Sequence, residues 1–450
     1  MAVNHTRLAR FDLPADRAPE SWYNVLPDLP SSLPEWNDPA TGEPVSTEYL
    51  DEILTPALVA QERSMERWIE IPEEVAEHYR TWRPTPLFRA HALERELQTP
   101  AAIYFKYEAA SPSGSHKLNS AIAQAYYAKR DGIKRLVTDT GAGQWGSALA
   151  LAGALMGIEV VVYMIRASFH GKPDRRNMIE TFGATVLESP GNGTRAGRRF
   201  LAEDEDHPGS EATAVSEALE VVREDPESRF AVGAFTNHVL MHQTVIGLET
   251  QQQLAALEVK PDYLVASVGC GSNMGGFALP WLSDKLAGED ITIMAAEPEA
   301  CATLTNGEYR RDFADATGSG PEVLSMTLGH DFVPPPIHAG GLRYHGAAPI
   351  VGLLYNEGLI ESRAYAQTDV FKGAVAFARL TGLIPAPETA HALSAVTDIA
   401  RQCTERDRPA NIVFCYSGHG LLDLAAYGRY NRDELEDSES FQAPRVAVTA

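Results

Sequence analysis

Lys117 is the residue of this sequence that offers the most chemistry. It lies in SPSGSHKLNSA, Ser111–Ala121, where a loop of small residues leads into a helical pattern that ends at Arg130. A helix N-terminus favours an anion, because its first N–H groups are free and its dipole is positive there. A lysine held at such a place, near cationic groups, can become nucleophilic. Lys117 could therefore form a Schiff base with pyridoxal phosphate (PLP); a solvated surface lysine is the plainer alternative.

A glycine-rich turn, VGCGSNMGG at Val268–Gly276, could bind a single phosphate. It follows a predicted strand and opens a predicted helix, so its N–H groups, with Ser272 and Asn273, could surround an anion. The segment lacks both the glycine spacing of a dinucleotide site and the GK[ST] of a nucleotide-binding loop. One phosphate therefore fits it better than a nucleotide, and a tight structural turn is the alternative.

A second turn of this kind, TDTGAGQWG at Thr138–Gly146, could bind a carboxylate. Its N–H groups from Thr140 to Trp145 lie between a predicted strand and a predicted helix, and Asp139 could act there as an acid or a base. A capping residue before a glycine turn is the alternative. Ser417, in FCYSGHG at the end of the last apolar strand, could hydrogen-bond a ring nitrogen, although a turn serine is the plainer interpretation.

The elements that would position these residues alternate between strand and helix from residue 100 onward. Val160–Ile165 is a nearly continuous apolar run, which is typical of a strand buried on both faces of a parallel sheet. Because strands and helices alternate in two series, we expect an α/β protein with two parallel sheets, whose active site lies beyond the carboxyl ends of strands. Other predictions are an extended arm at 1–60, a helix over Glu62–Arg83, a surface excursion at 189–230, a strand at Ala231–Phe235 and one helix from Asn237 to about Leu257.

Composition and charge exclude several classes of function. The net charge of −23 argues against nucleic acid and anionic membranes as partners, since both require basic patches. The four cysteines show no CxxC spacing, and the chain has no signal-like segment or bilayer-spanning apolar run, so we expect a soluble cytoplasmic protein with reduced thiols. The histidines of His330–Gly346 lack metal-ligand spacing, so no metal site is assigned.

The motifs GSHK, TGAGQWG, NHVLMHQTVIG, GHDFVPPPIHAGGLRYHG and SGHG resemble those of the tryptophan synthase β-subunit family, most closely its longer, stand-alone type. The resemblance runs from Trp22 to the SGHG turn. It implies PLP fold type II, with two Rossmann-like three-layer domains of mainly parallel sheets. It further implies an N-terminal domain of 1–82 plus 116–250, with a mobile lid at about 132–235, and a C-terminal domain of 83–115 plus 251–450.

The resemblance also implies a role for each residue of these motifs. Lys117 would be the Schiff-base lysine, and Asp139 the second catalytic residue. Cofactor contacts would come from His116, Lys117, Gly269, Cys270, Gly271, Ser272, Asn273, Glu388 and Ser417. Substrate contacts would come from Thr140, Gly141, Ala142, Gly143, Gln144, Trp145, Thr236 and Asp331. A monovalent cation is a possible second cofactor, with no ligands assigned.

Four positions depart from the family's pattern. The family has glutamate at Asp139, glycine at Cys270, an apolar residue at Thr236 and leucine at Tyr416. Aspartate retracts the charge by one methylene, and a misplacement of about 1 Å can cost on the order of 100-fold in rate. By the same resemblance Asp139 would lie at the centre of the reaction and Thr236 near the nucleophile pocket, whereas Cys270 would lie in the phosphate loop and Tyr416 just before the cofactor-contacting serine.

The reaction implied by the family is the joining of L-serine and indole into L-tryptophan and water through an aminoacrylate. The departures keep open the same chemistry with another nucleophile or a β-substituted amino acid, and a weakly catalytic PLP-binding regulatory protein is a more remote alternative. A homodimer is expected, and binding of a tryptophan synthase α-subunit is left open.

Overall fold

The protein is an α/β structure, seen here in a computed structural model that describes residues 7–438. In chain order its strands are β1 (Ala9–Phe11), β2 (Ser21–Tyr23), β3 (Trp68–Glu70), β4 (Leu87–Arg89), β5 (Ala102–Tyr107), β6 (Arg135–Thr140), β7 (Glu159–Ile165), β8 (Thr185–Ser189), β9 (Ser228–Phe230), β10 (Tyr263–Ser267), β11 (Thr292–Pro298), β12 (Glu308–Phe313), β13 (Glu322–Thr327), β14 (Glu361–Tyr365) and β15 (Asn411–Tyr416). No helix within the described range is long and apolar enough to span a bilayer.

The helices alternate with these strands over most of the chain. In chain order they are α1 (Thr47–Ile53), α2 (Pro56–Glu62), α3 (Glu73–Tyr79), α4 (His91–Glu96), α5 (Leu118–Arg130), α6 (Gln144–Met156), α7 (Arg166–Gly171), α8 (Pro173–Thr181), α9 (Arg195–Glu203), α10 (Glu211–Glu224), α11 (Asn237–Gln243), α12 (Val245–Ala256), α13 (Ser272–Ala278), α14 (Leu282–Leu286), α15 (Thr303–Asn306), α16 (Pro349–Asn356), α17 (Gln367–Thr381), α18 (Pro387–Glu405) and α19 (Leu424–Asn431).

Two mainly parallel sheets organise the molecule, as the sequence predicts. The larger has the order β1-β4-β5-β15-β10-β11-β14; the strands from β5 to β14 are parallel to one another, and the pairs β1–β4 and β4–β5 are antiparallel. The smaller has the order β8-β7-β6-β9 and is parallel throughout. The larger sheet draws its strands from the predicted C-terminal domain, apart from β1 of the arm. The domain boundaries themselves stay a prediction, and their stretches at 1–6 and 439–450 lie outside the described residues.

Helix α5, which begins directly after Lys117, is buried on nearly all sides. Its apolar residues include Ile122 and Ala125, and its polar residues are satisfied internally. The Gln124 amide donates to the carbonyl of Val232 at 2.7 Å and accepts from the N–H of Val232 at 3.0 Å. These contacts fix α5 against the segment that follows β9, so the residues before it have a firm position.

A buried network of two cations and two anions lies beneath the start of α5. Lys106 donates to Glu249 at 2.7 Å, and Arg83 donates to both Glu249 and Glu108 at 2.8 Å. All four side chains are at most 2% exposed. Arg83 also donates at 3.0 Å to the side chain of Asn119, in the first turn of α5, so the network holds the end of the helix that carries Lys117.

Several local predictions are wrong, each because a tertiary contact overrides the local pattern. The expected helix over Glu62–Arg83 is interrupted by β3, which pairs with β2 of the arm. The expected strand Ala231–Phe235 is not a strand, because the ladder ends at Phe230 and the chain then passes over Trp145; a Cβ at Gly233 would lie 2.8 Å from that indole ring. The helix expected from Asn237 is two helices, α11 and α12. The segment 189–230, expected as a surface excursion, contains α10, most of which is buried.

Candidate active site

Two adjoining cavities open where the turns after β6, β10 and β15 converge on the segment before α5. Lys117, Gln144, Ala234, Cys270 and Gly341 line both of them. The smaller, called here the cofactor cavity, contains about 520 Å³ of empty space. Among the residues of its wall are His116, Gly269, Gly271, Ser272, Asn273, Glu388 and Ser417. The structure thus brings all the predicted cofactor residues together around one cavity.

His116 ties the lysine segment to two other turns of the cofactor cavity. Its backbone N–H donates to the carbonyl of Ser417 at 2.9 Å, and its ring Nε2 lies 3.1 Å from the hydroxyl of Ser272. Burial, reinforced by the neighbouring charge of Lys117, lowers the pKa of His116 to about 3. The imidazole is therefore neutral and serves as a hydrogen-bonding spacer beside the lysine.

The turn after β10 is shaped so that a ligand can approach its backbone closely. A Cβ at Gly269 would lie 2.7 Å from the carbonyl oxygen of Gly341, and Gly271 has a φ of +135°, which only glycine adopts readily. Asn273 fixes the turn by donating to the hydroxyl of Ser267 at 3.1 Å. The glycines therefore leave N–H groups accessible on a rigid turn, which is the arrangement that a phosphate monoester requires.

Ser417 and Glu388 face the cofactor cavity from the far side. The hydroxyl of Ser417 lies 2.9 Å from that of Thr389, so a neutral pair of hydroxyls stands after β15. One oxygen of Glu388 accepts from Gln144 at 2.9 Å and from the N–H of Gly341 at 2.8 Å. Its other oxygen is buried and has no partner within residues 7–438.

Pyridoxal phosphate fits the side chains around the cofactor cavity. The cavity contains a lysine, a glycine turn suited to a phosphate and a hydroxyl suited to a ring nitrogen. The hydroxyl of Ser115, also on its wall, is buried without a hydrogen-bond partner in the described chain. Unpartnered polar groups of this kind are expected where a polar ligand completes the hydrogen bonding.

The carboxylate turn after β6 lines the larger cavity. Thr140, Gly141, Ala142, Gln144 and Trp145 are all on its wall, and Gly143 precedes α6 with a φ of +97°. In the described chain the N–H groups of Gly141, Ala142 and Gly143 donate to no protein acceptor. Three consecutive free donors beside Lys117 can bind an amino-acid carboxylate.

Beyond this turn the larger cavity, called here the apolar cavity, contains about 980 Å³ of empty space. Its apolar wall includes Leu50, Leu54, Val215, Leu219, Phe230 and Val323. Leu50 and Leu54 belong to or follow α1, so the N-terminal arm contributes directly to the site. A chamber with this lining accommodates a flat apolar molecule and excludes water from the groups at its base.

Two carboxyl groups stand at the base of the apolar cavity, whereas the sequence predicts only one. Asp139 is the penultimate residue of β6, and Glu211 is the first residue of α10; both line the cavity. Burial raises the pKa of Asp139, and the nearby ammonium of Lys117 only partly offsets this. Burial and then the like charge of Asp139 raise the pKa of Glu211. Sequence reasoning missed Glu211 because an acid after a serine N-cap is ordinary at a helix start.

The remaining predicted residues fall in three different places. Thr236 lines the apolar cavity, with its hydroxyl 3.2 Å from Nε2 of His238. Cys270 is buried between the two cavities. Tyr416 lines neither of them and packs against Tyr107 with ring centroids 5.0 Å apart. Asp331 is exposed and lines neither cavity, so in this structure it does not reach the site where a serine contact was expected.

Comparison with known proteins identifies the class first. Residues 79–418 match the family described as pyridoxal-phosphate dependent enzyme. The fold resembles that of maize serine racemase, with a TM-score of 0.55 at 17% identity, over 81% of this chain and 98% of the racemase. These matches define the class as PLP-dependent enzymes of fold type II.

Sequence relatives define the family within this class. Over 416 residues the chain is 53% identical to tryptophan synthase beta chain 2 of Thermotoga maritima, covering 92% of this chain and 99% of the relative. It is 52% identical over 436 residues to the tryptophan synthase beta chain of Thermococcus gammatolerans, covering 96% and 99%. With beta chain 2 of Pyrococcus furiosus the identity is 51% over 434 residues, covering 96% and 97%. The chain belongs to the tryptophan synthase beta chain family.

Proposed function

We propose that this protein joins L-serine to indole, giving L-tryptophan and water, with PLP as its cofactor. The observation that carries the proposal is the junction of the two cavities at Lys117, with a carboxylate turn on one side and an apolar chamber beyond it. The junction brings an amino acid and a flat apolar nucleophile to the same lysine. The relatives named tryptophan synthase beta chain support the same pair of substrates.

In this proposal the cofactor is held by the residues of the cofactor cavity. Gly269, Gly271 and Ser272 would bind its phosphate, and Ser417 would accept or donate a hydrogen bond at its ring nitrogen. PLP, when bound, supplies an electron sink that makes loss of the serine hydroxyl possible. A neutral hydroxyl partner leaves the ring nitrogen largely unprotonated, so this sink is weaker than it would be beside an aspartate.

The protein's own residues then control orientation, protons and water. The free N–H groups at 141–143 bind the carboxylate of serine and direct its hydroxyl toward Asp139. Lys117 holds and moves the proton of the serine Cα, and the apolar lining from Leu54 to Phe230 keeps water away from the reacting carbon. Binding order and orientation thus follow from groups that the fold places at fixed positions.

A second nucleophile is favoured by two specific observations. The apolar cavity contains a hydroxyl at Thr236 and two carboxyl groups, Asp139 and Glu211, and this is more polar than indole alone requires. The same chemistry with a more polar nucleophile, or with a β-substituted amino acid as donor, is the alternative function. Indole stays the first candidate, because most of the chamber is apolar.

The deciding experiment supplies purified holoenzyme with L-serine and indole and measures tryptophan by chromatography, while the absorbance of the cofactor is followed. We expect tryptophan to form and the absorbance to respond first to serine and then to indole. A response to serine that is insensitive to indole would favour another nucleophile. No response to serine would refute serine as the donor and direct the search to threonine and O-substituted serines.

Association and location are proposals that follow from the family. We propose a homodimer in the cytoplasm, with the lid at 132–235 closing over the substrates and a monovalent cation as a possible second cofactor. Whether an α-subunit binds stays open. Gel filtration with light scattering would test the dimer, and an assay in sodium, potassium and caesium salts would test the cation.

A further inference from the structure

The feature that carries a further inference is the position of Glu211 against the carboxylate turn. An added Cβ at Gly141 would lie 2.1 Å from Oε1 of Glu211 and 2.7 Å from the carbonyl oxygen of Gly340. The Glu211 carboxyl therefore occupies the space directly over the α-carbon of Gly141. It is on the same cavity wall as Asp139 and Lys117, although 72 positions along the sequence separate Asp139 from it.

Several neighbouring charged groups affect the ionisation of Glu211. Asp139 faces it from β6, and Lys117 faces it from the segment before α5. The other charged or titratable groups that act on it or are acted on by it are Arg343, Glu388, Cys270, Cys301 and Tyr344. Two cations and three carboxyls thus share a partly dehydrated space, so the full charge of every carboxyl at once is unfavourable.

We propose that Glu211 is a second catalytic carboxyl, which forms with Asp139 a pair that holds one shared proton at the base of the apolar cavity. The inference rests on the proposed function and assigns nucleophile recognition to a residue on α10. The side chain of Asp139 is one methylene shorter than that of a glutamate, so its carboxyl extends less far into the cavity. Glu211 supplies a glutamate carboxyl from across the cavity. The raised pKa of both groups is consistent with a single negative charge on the pair.

A carboxyl pair that holds one proton can give up that proton in one step and regain a proton in a later step, so the reaction needs no proton from solvent. When the C–O bond of serine breaks, the departing hydroxyl takes the proton of the pair and leaves as water. When the ring carbon of indole forms the new C–C bond, its hydrogen leaves as a proton and returns to the pair. An unprotonated carboxylate of the pair accepts a hydrogen bond from the ring N–H of indole, and this hydrogen bond orients the nucleophile.

The test compares Glu211→Gln with two matched controls. Glu211→Asp keeps the negative charge at the start of α10 and retracts it by one methylene, and Glu224→Gln removes an exposed charge from the other end of the same helix. We expect Glu211→Gln to lower kcat for tryptophan formation about 100-fold with little change in the KM for serine. We expect Glu211→Asp to be intermediate and Glu224→Gln to match the wild type.

The pH profile and a second substitution distinguish catalysis from a structural role. Removing the like charge lets the pKa of Asp139 fall, so the alkaline limb of kcat should move down by about one pH unit in Glu211→Gln. Asp139→Glu should lower activity beside Glu211 but raise it in a Glu211→Leu background, where space and reach are free. An unchanged profile, or the same sign of effect in both backgrounds, would overturn the proposal.

Infrared spectroscopy gives a readout that does not need turnover. At pH 7 the difference spectrum of wild type minus Glu211→Gln should contain the carbonyl stretch of a protonated carboxyl. Absence of that band would refute the pair even in an active enzyme. If the wild type makes no tryptophan but the band is present, the proposed function fails and the carboxyl pair stands.

Discussion

Replacing Lys106 by methionine tests how the buried network supports the lysine segment. Methionine has nearly the same shape, so the change removes a charge and leaves little empty space. Lys106 donates to the carbonyl of Thr85 at 2.6 Å, to Glu249 at 2.7 Å and to Gln253 at 2.9 Å. The carbonyl of Thr85 keeps a second donor in Gln253, at 3.0 Å, so the main loss is the neutralising charge.

The magnitude follows from the charge count of the network. In the wild type two cations face two carboxylates, and in Lys106→Met one cation, Arg83, must neutralise both Glu108 and Glu249. Leaving one buried charge uncompensated costs about 3–5 kcal/mol of unfolding free energy. Lys106→Met/Glu249→Gln has no excess charge, and its loss should therefore be below about 2 kcal/mol.

The free energy of unfolding should depend on pH in a direction that the charges of the network determine. Burial opposes the charge of Glu108, but Arg83 and Lys106 override it and lower its pKa to about 2. In the wild type this group stabilises the fold above its ordinary pKa of 4.5, and the contribution is lost as the pH falls toward 2. In Lys106→Met a proton can neutralise the excess carboxylate, and binding of this proton is easier at low pH. The loss of unfolding free energy should therefore be smaller at pH 5 than at pH 8.

Urea unfolding followed by circular dichroism at both pH values measures these differences. The control is Lys129→Met, because Lys129 forms an exposed pair with Glu74 at 3.1 Å and should cost at most about 1 kcal/mol. Equal losses for Lys106→Met at pH 5 and pH 8 would refute the reasoning. A double variant no more stable than the single variant would refute it as well.

Three further substitutions test the site. Lys117→Ala should abolish activity, and borohydride followed by mass spectrometry should label the wild type at this residue but not the variant. Gly269→Ala should weaken PLP binding about tenfold or more, measured by fluorescence titration, because the added Cβ has backbone 2.7 Å away; Gly171→Ala, with nothing within 4 Å, is the control. Leu54→Trp should raise the KM for indole about tenfold and leave that for serine unchanged, because it fills the apolar part of the larger cavity and not its carboxylate turn; an equal rise for both would contradict the separation of the indole site from that turn.

Motifs in which the chemistry and the local structure coincide could be predicted from the sequence. The sequence patterns predict strands at Ala102–Tyr107 and Asn411–Tyr416 and a helix at Gln144–Met156. The strands β5 and β15 and the helix α6 have these bounds, and the turns beside them lie at one site. Apolar periodicity and glycine turns are local signals, and the carboxyl ends of parallel strands meet wherever such a sheet forms. For these reasons the sequence alone could indicate Lys117, the turn after β10 and Ser417 as site residues.

Residues whose role depends on a distant partner could not be predicted in this way. Glu211 follows a serine N-cap, which explains it locally, and only the packing of α10 against β6 brings it to Asp139. Likewise the segment Ala231–Phe235 has the composition of a strand, but its path is set by the indole ring of Trp145. The place of Leu54 on the cavity wall depends on how the arm packs, which no local pattern encodes.

The position of β15 has a consequence for how the protein comes into being. Within residues 7–438 this strand is the last, yet it lies between β5 and β10, with Asn411 paired to Ala102 and Val413 paired to Leu264. The centre of the larger sheet therefore cannot form on the ribosome before residues 411–416 have been synthesised. Ser417 arrives directly after this strand. A chain that stops before β15 lacks both Ser417 and the strand that joins β5 to β10.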